Sequence, residues 1–368
     1  MEQEYLEWQP LFRDIAQFYL PRLYAWLNSS PNGGKQPSAA KTTNSKILHS
    51  GGTEALRTMA HGMMNGITSP ARPWFRFRLE GFGDEDDQYP SAELAWLETC
   101  TERVQTILGE SNFYNVMGVQ FIDISLFGTS AVLTYEDFDE VVRFYNVPVG
   151  EFVIAQSSRR SVDVFGRFFA QTLRQAVQEF GEECLAPNEL IRYKEGKGGE
   201  LDTMLIYHLI EPNDQKSDAS IRVPSTFAYR ELFFRVHPQP KLLKKKGFHE
   251  KPSSVARWEI TGNDTFGTSP AMDAFADVKQ LQVAVKQKVQ AKDKMIRPPV
   301  VADLALKGDP LALLPGGVSY VPGASSVGAR AIYTVNPPLG EMTAEIQDLV
   351  QTIRRQFYNH LFRNVSDL

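Results

Sequence analysis

Apolar residues recur every three to four positions at Tyr5, Trp8, Leu11, Phe12, Ile15 and Phe18, which predicts a helix over residues 3–28 interrupted by Pro21. A polar stretch rich in Ser, Asn, Gly and Pro follows to Lys46 and reads as a loop. Leu56, Met59, Ala60, Met63, Met64 and Ile67 then mark the apolar face of a second helix, with Thr53 as its expected N-cap and Pro70 as its stop. "WFRFRLE" alternates large and charged residues as a strand does, and 91–118 return to helix, with 119–127 fitting either a helix or a strand. Between Gly128 and Gln156 the pattern is that of successive strands, and the acidic "EDFDE" falls at a hairpin tip. A strand turning into a helix closes at Gly181, and "TMLIYHLIEP", "FAYRELFFRV" and "ARWEIT" add further strands. "PQPKLLKKKGFHEKP", with Lys244, Lys245 and Lys246, reads as a solvated basic turn between strands.

The last hundred residues carry a different pattern. Ser269 suits an N-cap and Pro270 the first helical position, opening a helix over 269–297. Val278, Leu281, Val285, Val289 and Ile296 keep one narrow apolar stripe along it, while Lys279, Gln282, Lys286, Asp293 and Arg297 lie off the stripe. Pro298 and Pro299 end it. About forty residues later a second helix begins near Leu339, with the stripe Met342, Ile346, Leu349, Ile353, Phe357 and Leu361. Acids precede cations in both helices, as the helix dipole favours. The intervening "PPVVAD", "GVSYV" and "ARAIYTV" look like short strands, so 298–339 form a small lobe carried on two rods. Two arrangements satisfy such narrow stripes. Identical rods from other copies supply the missing partners, or the two rods fold as an antiparallel pair onto their own domain.

The whole chain of 368 residues is therefore α+β, long enough for more than one domain, and 42% hydrophobic with 11% aromatics, which excludes disorder. A net charge of −5 makes the chain as a whole a poor electrostatic trap for nucleic acid. The helix over 269–297 departs from that balance. Lys279, Lys286, Lys288, Lys292, Lys294 and Arg297 face Asp273, Asp277 and Asp293, for a local net charge of +3. These six cations are candidates for transient phosphate contacts, or for pairing with acids of adjacent helices.

Chemistry is otherwise sparse. Cys100 and Cys184 lack the spacing of a zinc site and read as reduced thiols. "GFGDEDDQYP" lacks the ligand spacing of a calcium loop and reads as a surface loop. No phosphate loop, nucleophile elbow or HExxH is present, so the sequence predicts neither an enzyme nor a cofactor. The acidic N-terminus is not a signal peptide, and no apolar stretch is long enough to span a membrane.

"FGTSPAMDAFADVKQL", "RPPVVAD", "LLPGGVSY" and "NPPLGEM", in that order, resemble the portal or head-to-tail connector proteins of short-tailed bacteriophages. "GGTEALRTMAHGMMNGITSPARPWF", "FGTSAVLTYEDFDEVVRFYNVPVGEFVIAQ" and "VDVFGRFFAQTLRQAVQEFG" extend the resemblance to roughly residues 3–363. It implies a portal-type fold, with a mixed wing over 1–268, a first stem helix over 269–297, a clip over 298–339 and a second stem helix over 340–363. It also implies a ring of twelve subunits at one capsid vertex of the virion, made in the host cytoplasm. Double-stranded DNA would pass through the ring, and terminase, a tail adaptor, the major capsid protein and scaffolding proteins would be its partners. A ring adaptor of capsid or tail other than a portal is the alternative. Residues 364–368 would begin a channel loop, beyond which members of that family continue. Within the clip, Tyr320, Arg330 and Tyr333 are candidate docking residues, because exposed tyrosine and arginine suit interfaces.

Overall fold

The computed structural model describes residues 1–28, 47–78, 91–196, 203–214, 218, 220–296, 300–301, 330–331 and 337–366. The order begins α1 (Glu2–Tyr19), α2 (Pro21–Asn28), α3 (Gly51–Ile67), α4 (Ser91–Glu110) and α5 (Phe113–Phe127). Strands β1 (Thr129–Asp137), β2 (Val141–Val147), β3 (Phe152–Gln156) and β4 (Val162–Thr172) follow. Next come α6 (Leu173–Phe180), a 3₁₀ turn over Glu182–Cys184, α7 (Pro187–Lys194), β5 (Thr203–Pro212), β6 (Tyr229–Arg235), β7 (Lys241–Phe248) and β8 (Ser253–Arg257). The C-terminal part holds α8 (Pro270–Asp273), α9 (Phe275–Ile296), the two-residue strands β9 (Val300–Val301) and β10 (Arg330–Ala331), α10 (Leu339–Gln356) and α11 (Asn359–Ser366). The α+β class read from the pattern is the class found.

Two antiparallel sheets carry the β-structure. One has the order β2-β1-β8 and the other β3-β4-β5-β6-β7. The main core lies between them and a helical layer, and draws Phe12, Ile15 and Tyr19 from α1, Leu56 and Met59 from α3, Phe127 from α5 and Phe266 from the segment before α8. Aromatic rings knit it together: Phe12 meets Phe127 edge-on at 5.3 Å and Phe266 at 5.7 Å, an arrangement the ring quadrupole favours. A smaller core forms where Leu173 and Ala176 of α6 and Cys184 pack on Met204, Ile206 and Phe233 of the larger sheet. Thr172 and Gln175 close a capping box at the start of α6, satisfying donors that the first turn leaves unpaired.

Tyr19 ties α1 to both C-terminal helices. Its ring, fully buried, meets Phe357 at 5.8 Å, and its hydroxyl donates to the carbonyl of Ala271 at 3.0 Å. Burial, reinforced by Asp277 and Asp273, pushes that hydroxyl's pKa up, so it remains a donor. Gly52 permits the approach, since a Cβ there would lie 3.1 Å from Val278 and 3.2 Å from Tyr19. The two sheets are tied by a polar junction. Glu231 Oε1 on β6 accepts from the hydroxyl of Tyr135 on β1 and from Nε2 of His208 on β5, the latter at 2.8 Å. Burial disfavours ionisation of Glu231, yet the bonds from His208 and Tyr135 outweigh it and lower its pKa, while burial lowers that of His208.

Several sequence expectations give way. Residues 74–78 of "WFRFRLE" join no strand among the described residues; α4 side chains bond their backbone, Thr101 Oγ1 accepting from Phe77 N at 3.1 Å and Gln105 donating to Phe75 O at 3.3 Å. Lys244–Lys246 lie in β7 rather than in a turn, because Leu242, Leu243 and Phe248 give the segment enough apolar contact to pair with β6. Thr53 is not the N-cap of α3; Ser50 holds that position, and the Thr53 hydroxyl donates to Tyr19 O at 2.7 Å. The helix over 91–118 breaks at Ser111–Asn112, and 119–127 prove helical. The acidic loop over 81–90 lies outside the described residues.

Two predictions follow from this packing. Gly128 caps α5 at φ 69°, and a Cβ there would stand 2.3 Å from Gly267 O and 2.4 Å from Thr268 O. Gly128→Ala therefore lowers unfolding stability by about 3 kcal/mol in urea titrations, combining left-handed strain with a backbone clash. Asp123 on α5 is buried with Oδ2 unpartnered among the described residues, and burial pushes its pKa up to about 7. A raised carboxyl pKa means the folded state holds the proton more tightly, so stability drains as pH climbs from about 4 to 7. Relative to wild type, Asp123→Asn gains stability over that window, up to roughly 4 kcal/mol at pH 8, in urea titrations run pH by pH.

Candidate functional site

The helix over 269–297 arrives as α8 and α9. Ser269 caps as expected: its Oγ accepts from Met272 N at 3.2 Å and donates to Leu126 O at 2.8 Å. α9 continues for 22 residues, about 33 Å at 1.5 Å per residue. Its first half is embedded. Val278, Leu281, Gln282 and Ala284 are buried against the core that α1 and α3 fill. Gln282 uses its whole amide there: Oε1 accepts from Leu48 N at 2.7 Å and His49 N at 2.9 Å, and Nε2 donates to His49 O at 3.0 Å. Sequence reading missed this clamp, since a glutamine beside an apolar stripe looks like any solvated side chain.

The second half of α9 is bare. Val289, Met295 and Ile296 are exposed at 62%, 49% and 65%, and Val289 and Ile296 share a face. The predicted stripe thus divides, its first members serving this chain's own core and its last members facing out. α10 packs antiparallel to α9, burying Ile346, Ile353 and Phe357, and Gln356 Nε2 donates to Asp277 at 2.8 Å. The second rod is not one helix over 340–363. It breaks at Phe357–Tyr358, where Tyr358 takes φ 53° and buried Asn359 donates to Ala55 O and Phe357 O at 3.1 Å each. Leu361, counted in the predicted stripe, is 55% exposed after that bend.

The six candidate cations do not form one surface. Successive helical residues turn by 100°, so Lys279 and Lys286, seven apart, share a face and Lys294 lies toward it, whereas Lys288 and Lys292 lie on the α10 side. Lys288 Nζ donates to Thr343 Oγ1 of α10 at 2.7 Å. Lys279 belongs to the base of the rod: it stands 4.0 Å over the ring of Phe275 and 3.9 Å from Asp14. Lys286, Lys292 and Lys294 are exposed and have no ion-pair partner among the described residues. Arg297 lies outside the described residues, as do Tyr320 and Tyr333; the backbone of Arg330 pairs with Val301 in the β9–β10 ladder. Between β9 and β10, "GVSYV" also lies outside them.

Among the described residues no group of three or more His, Cys, Asp or Glu is placed to hold a metal, and no helix is long and apolar enough to cross a membrane. Cys100 and Cys184 are unpaired, and burial raises the pKa of Cys184, leaving it a poor nucleophile. What the arrangement offers is mechanical: a rod anchored at its base and uncovered along its far half.

A family model described as "Bacteriophage head to tail connecting protein" matches residues 1–367. The portal protein of Salmonella phage epsilon15 is 34% identical over 372 residues, a match covering all of this chain and 65% of that protein. The probable portal protein of Bordetella phage BPP-1 is 32% identical over 357 residues, covering 96% of this chain and 62% of that protein. The chain thus spans a little under two-thirds of the length of these relatives. With a match along nearly every residue, this chain belongs to the bacteriophage head-to-tail connecting protein family.

Proposed function

We propose that this protein is a portal: a structural, non-enzymatic ring subunit at one capsid vertex of the virion, through which double-stranded DNA enters and leaves. The bare far half of α9 carries this reading. Val289 and Ile296, seven apart and so on one face of the rod, are large apolar side chains left exposed, and copies of the same rod cover them. In this reading residues 1–268 are the wing, 269–297 and 340–363 the stem, 298–339 the clip and 364–368 the start of a channel loop. Twelve copies form the ring. Terminase and then a tail adaptor dock on the clip, where Tyr320, Arg330 and Tyr333 are the contact candidates, and the wing meets the major capsid and scaffolding proteins.

Within the channel the physical task is to hold DNA without arresting it. A duplex carries one charge per ~1.7 Å of axis, so a densely basic tunnel would grip it. α9 offers a few separated lysines on an acidic chain instead. Its open face, with Lys286 and Lys294, meets phosphate transiently, and Lys292 and Arg297 remain candidates for the same role; Lys288 works between helices, and Lys279 holds the rod to the wing.

Two measurements test this. Class averages of negatively stained wild-type protein show rings with a duplex-wide hole, and Val289→Asp with Ile296→Asp raises the concentration for half-assembly at least about tenfold while circular dichroism stays unchanged. A protein that remains monomeric at high concentration sinks the portal reading. In packaging assays, Lys286→Gln with Lys294→Gln shrinks the rate difference between about 50 and 200 mM salt by roughly half, whereas Lys279→Gln leaves it intact. Equal salt sensitivity in all three proteins removes the phosphate role.

A further inference from the structure

The β1–β2 turn carries the most exposed large apolar side chain among the described residues, Phe138, at 106%. Four carboxylates surround it in sequence: Glu136, Asp137, Asp139 and Glu140. The tip is stiff. Asp137 Oδ1 accepts from the backbone N–H of Asp139 at 2.8 Å and of Glu140 at 3.0 Å. Arg143 Nε donates to Asp137 Oδ2 at 3.1 Å, and the same guanidinium lies 3.3 Å from Glu140. An aromatic side chain on a preformed base needs little further ordering on contact, which is what an interface anchor requires.

A receptor of matching chemistry lies elsewhere on the same chain. Across the outer face of the five-stranded sheet, Phe168, Tyr207 and Phe234 stand opposite one another in register, each half-buried. The rings of Tyr207 and Phe234 stack at 5.5 Å and 13°. Phe234 also lines a hollow of about 410 Å³ with Ile221, Leu232, Val236, Pro240 and Leu242. Beside the hollow runs β7, the edge strand of the sheet, which carries no acid: Lys241 lines the hollow and donates to Glu183 O, Lys245 donates to Ser220 O at 3.0 Å, and Lys244 and Lys246 stand opposite Phe233 and Glu231 on the other face. Lys245 stands opposite Leu232, on the same face as the hollow.

The tip cannot reach its own hollow. Tyr135, three residues before Phe138, packs on Phe248 at 6.1 Å, at the far end of β7 from Leu242. Six residues of strand separate those ends, about 20 Å. Two complementary patches on different parts of one surface associate head to tail, and repetition of such a contact builds a ring. We propose that Phe138 of one copy seats in the Leu232–Phe234–Leu242 hollow of the next, with Glu136, Asp139 and Glu140 against Lys241 and Lys245. The contact rests on the ring reading above and names a second junction, between wings rather than rods. Asp137 takes no part across the interface, because it holds the turn. The competing role of the lysines is to guard an exposed sheet edge against strand addition, which needs no partner.

Charge reversal in trans separates the two. Glu136→Lys, Asp139→Lys and Glu140→Lys together, or Lys241→Glu and Lys245→Glu together, each raise the half-assembly concentration at least about tenfold by mass photometry. Phe138→Ser does the same. Combining both charge sets in one chain returns assembly to within about threefold of wild type. In a Cys100→Ser background, Phe138→Cys with Leu242→Cys gives a ladder of disulfide-linked subunits on oxidation. All of these positions are on the surface, and circular dichroism verifies the fold of each variant. Single sets that assemble like wild type, or a combined set no better than either alone, overturn the contact while rings persist. A wild-type protein that forms no ring overturns this contact and the portal reading together.

Discussion

Everything in the C-terminal part of this molecule hangs on the burial of one side chain from its N-terminal helix. Tyr19 touches the turn that launches α9 through its hydroxyl and the end of α10 through its ring, and it fits only because Gly52 lets α3 come close. Around it Val278, Leu281 and Ile353 complete a core that joins residues more than three hundred positions apart. The rods are therefore extensions of the α+β body and share its stability at their base. Only beyond Ala284 does α9 leave that body.

Charge is handled in two ways. At the sheet junction, an enclosed Glu231 accepts through Oε1 from both Tyr135 and His208, which couples the three-stranded sheet to the five-stranded one. Such enclosed polar groups specify register and orientation more than they add stability. At the surface the pattern reverses. Acids collect on the β1–β2 tip and cations on β7 and the open face of α9, each left in water, where they steer association and are screened by salt. The interior arranges charge for shape and the exterior for encounter.

The fold was legible where periodicity was strong and local. The helices α1, α3 and α9, the β1–β2 hairpin with its acidic tip and the Ser269 cap follow from spacing alone. What escaped depends on contacts distant in sequence. "WFRFR" has the alternation of a strand, but side chains of α4 take its backbone bonds, and alternation cannot reveal a helix as partner. "KLLKKKGF" looked like a turn because three consecutive lysines outweigh two leucines in any local count, while an edge strand tolerates them. The bend at Tyr358 left no mark, since its cause is Phe357 turning into the core beneath Tyr19. Five of the candidate cations lie on α9, yet sequence did not divide them between faces; that division came from where α10 lies and from the Thr343 contact of Lys288.

The Gln282 clamp has a mechanical corollary. It pins α9 near its base through three bonds to Leu48 and His49, and some fourteen residues of helix project past it. That makes the rod a cantilever, whose sideways deflection grows steeply with distance from the fixed end. In the proposed ring, small misfits between neighbouring subunits would be absorbed at the tips, while the anchored bases would hold a common radius.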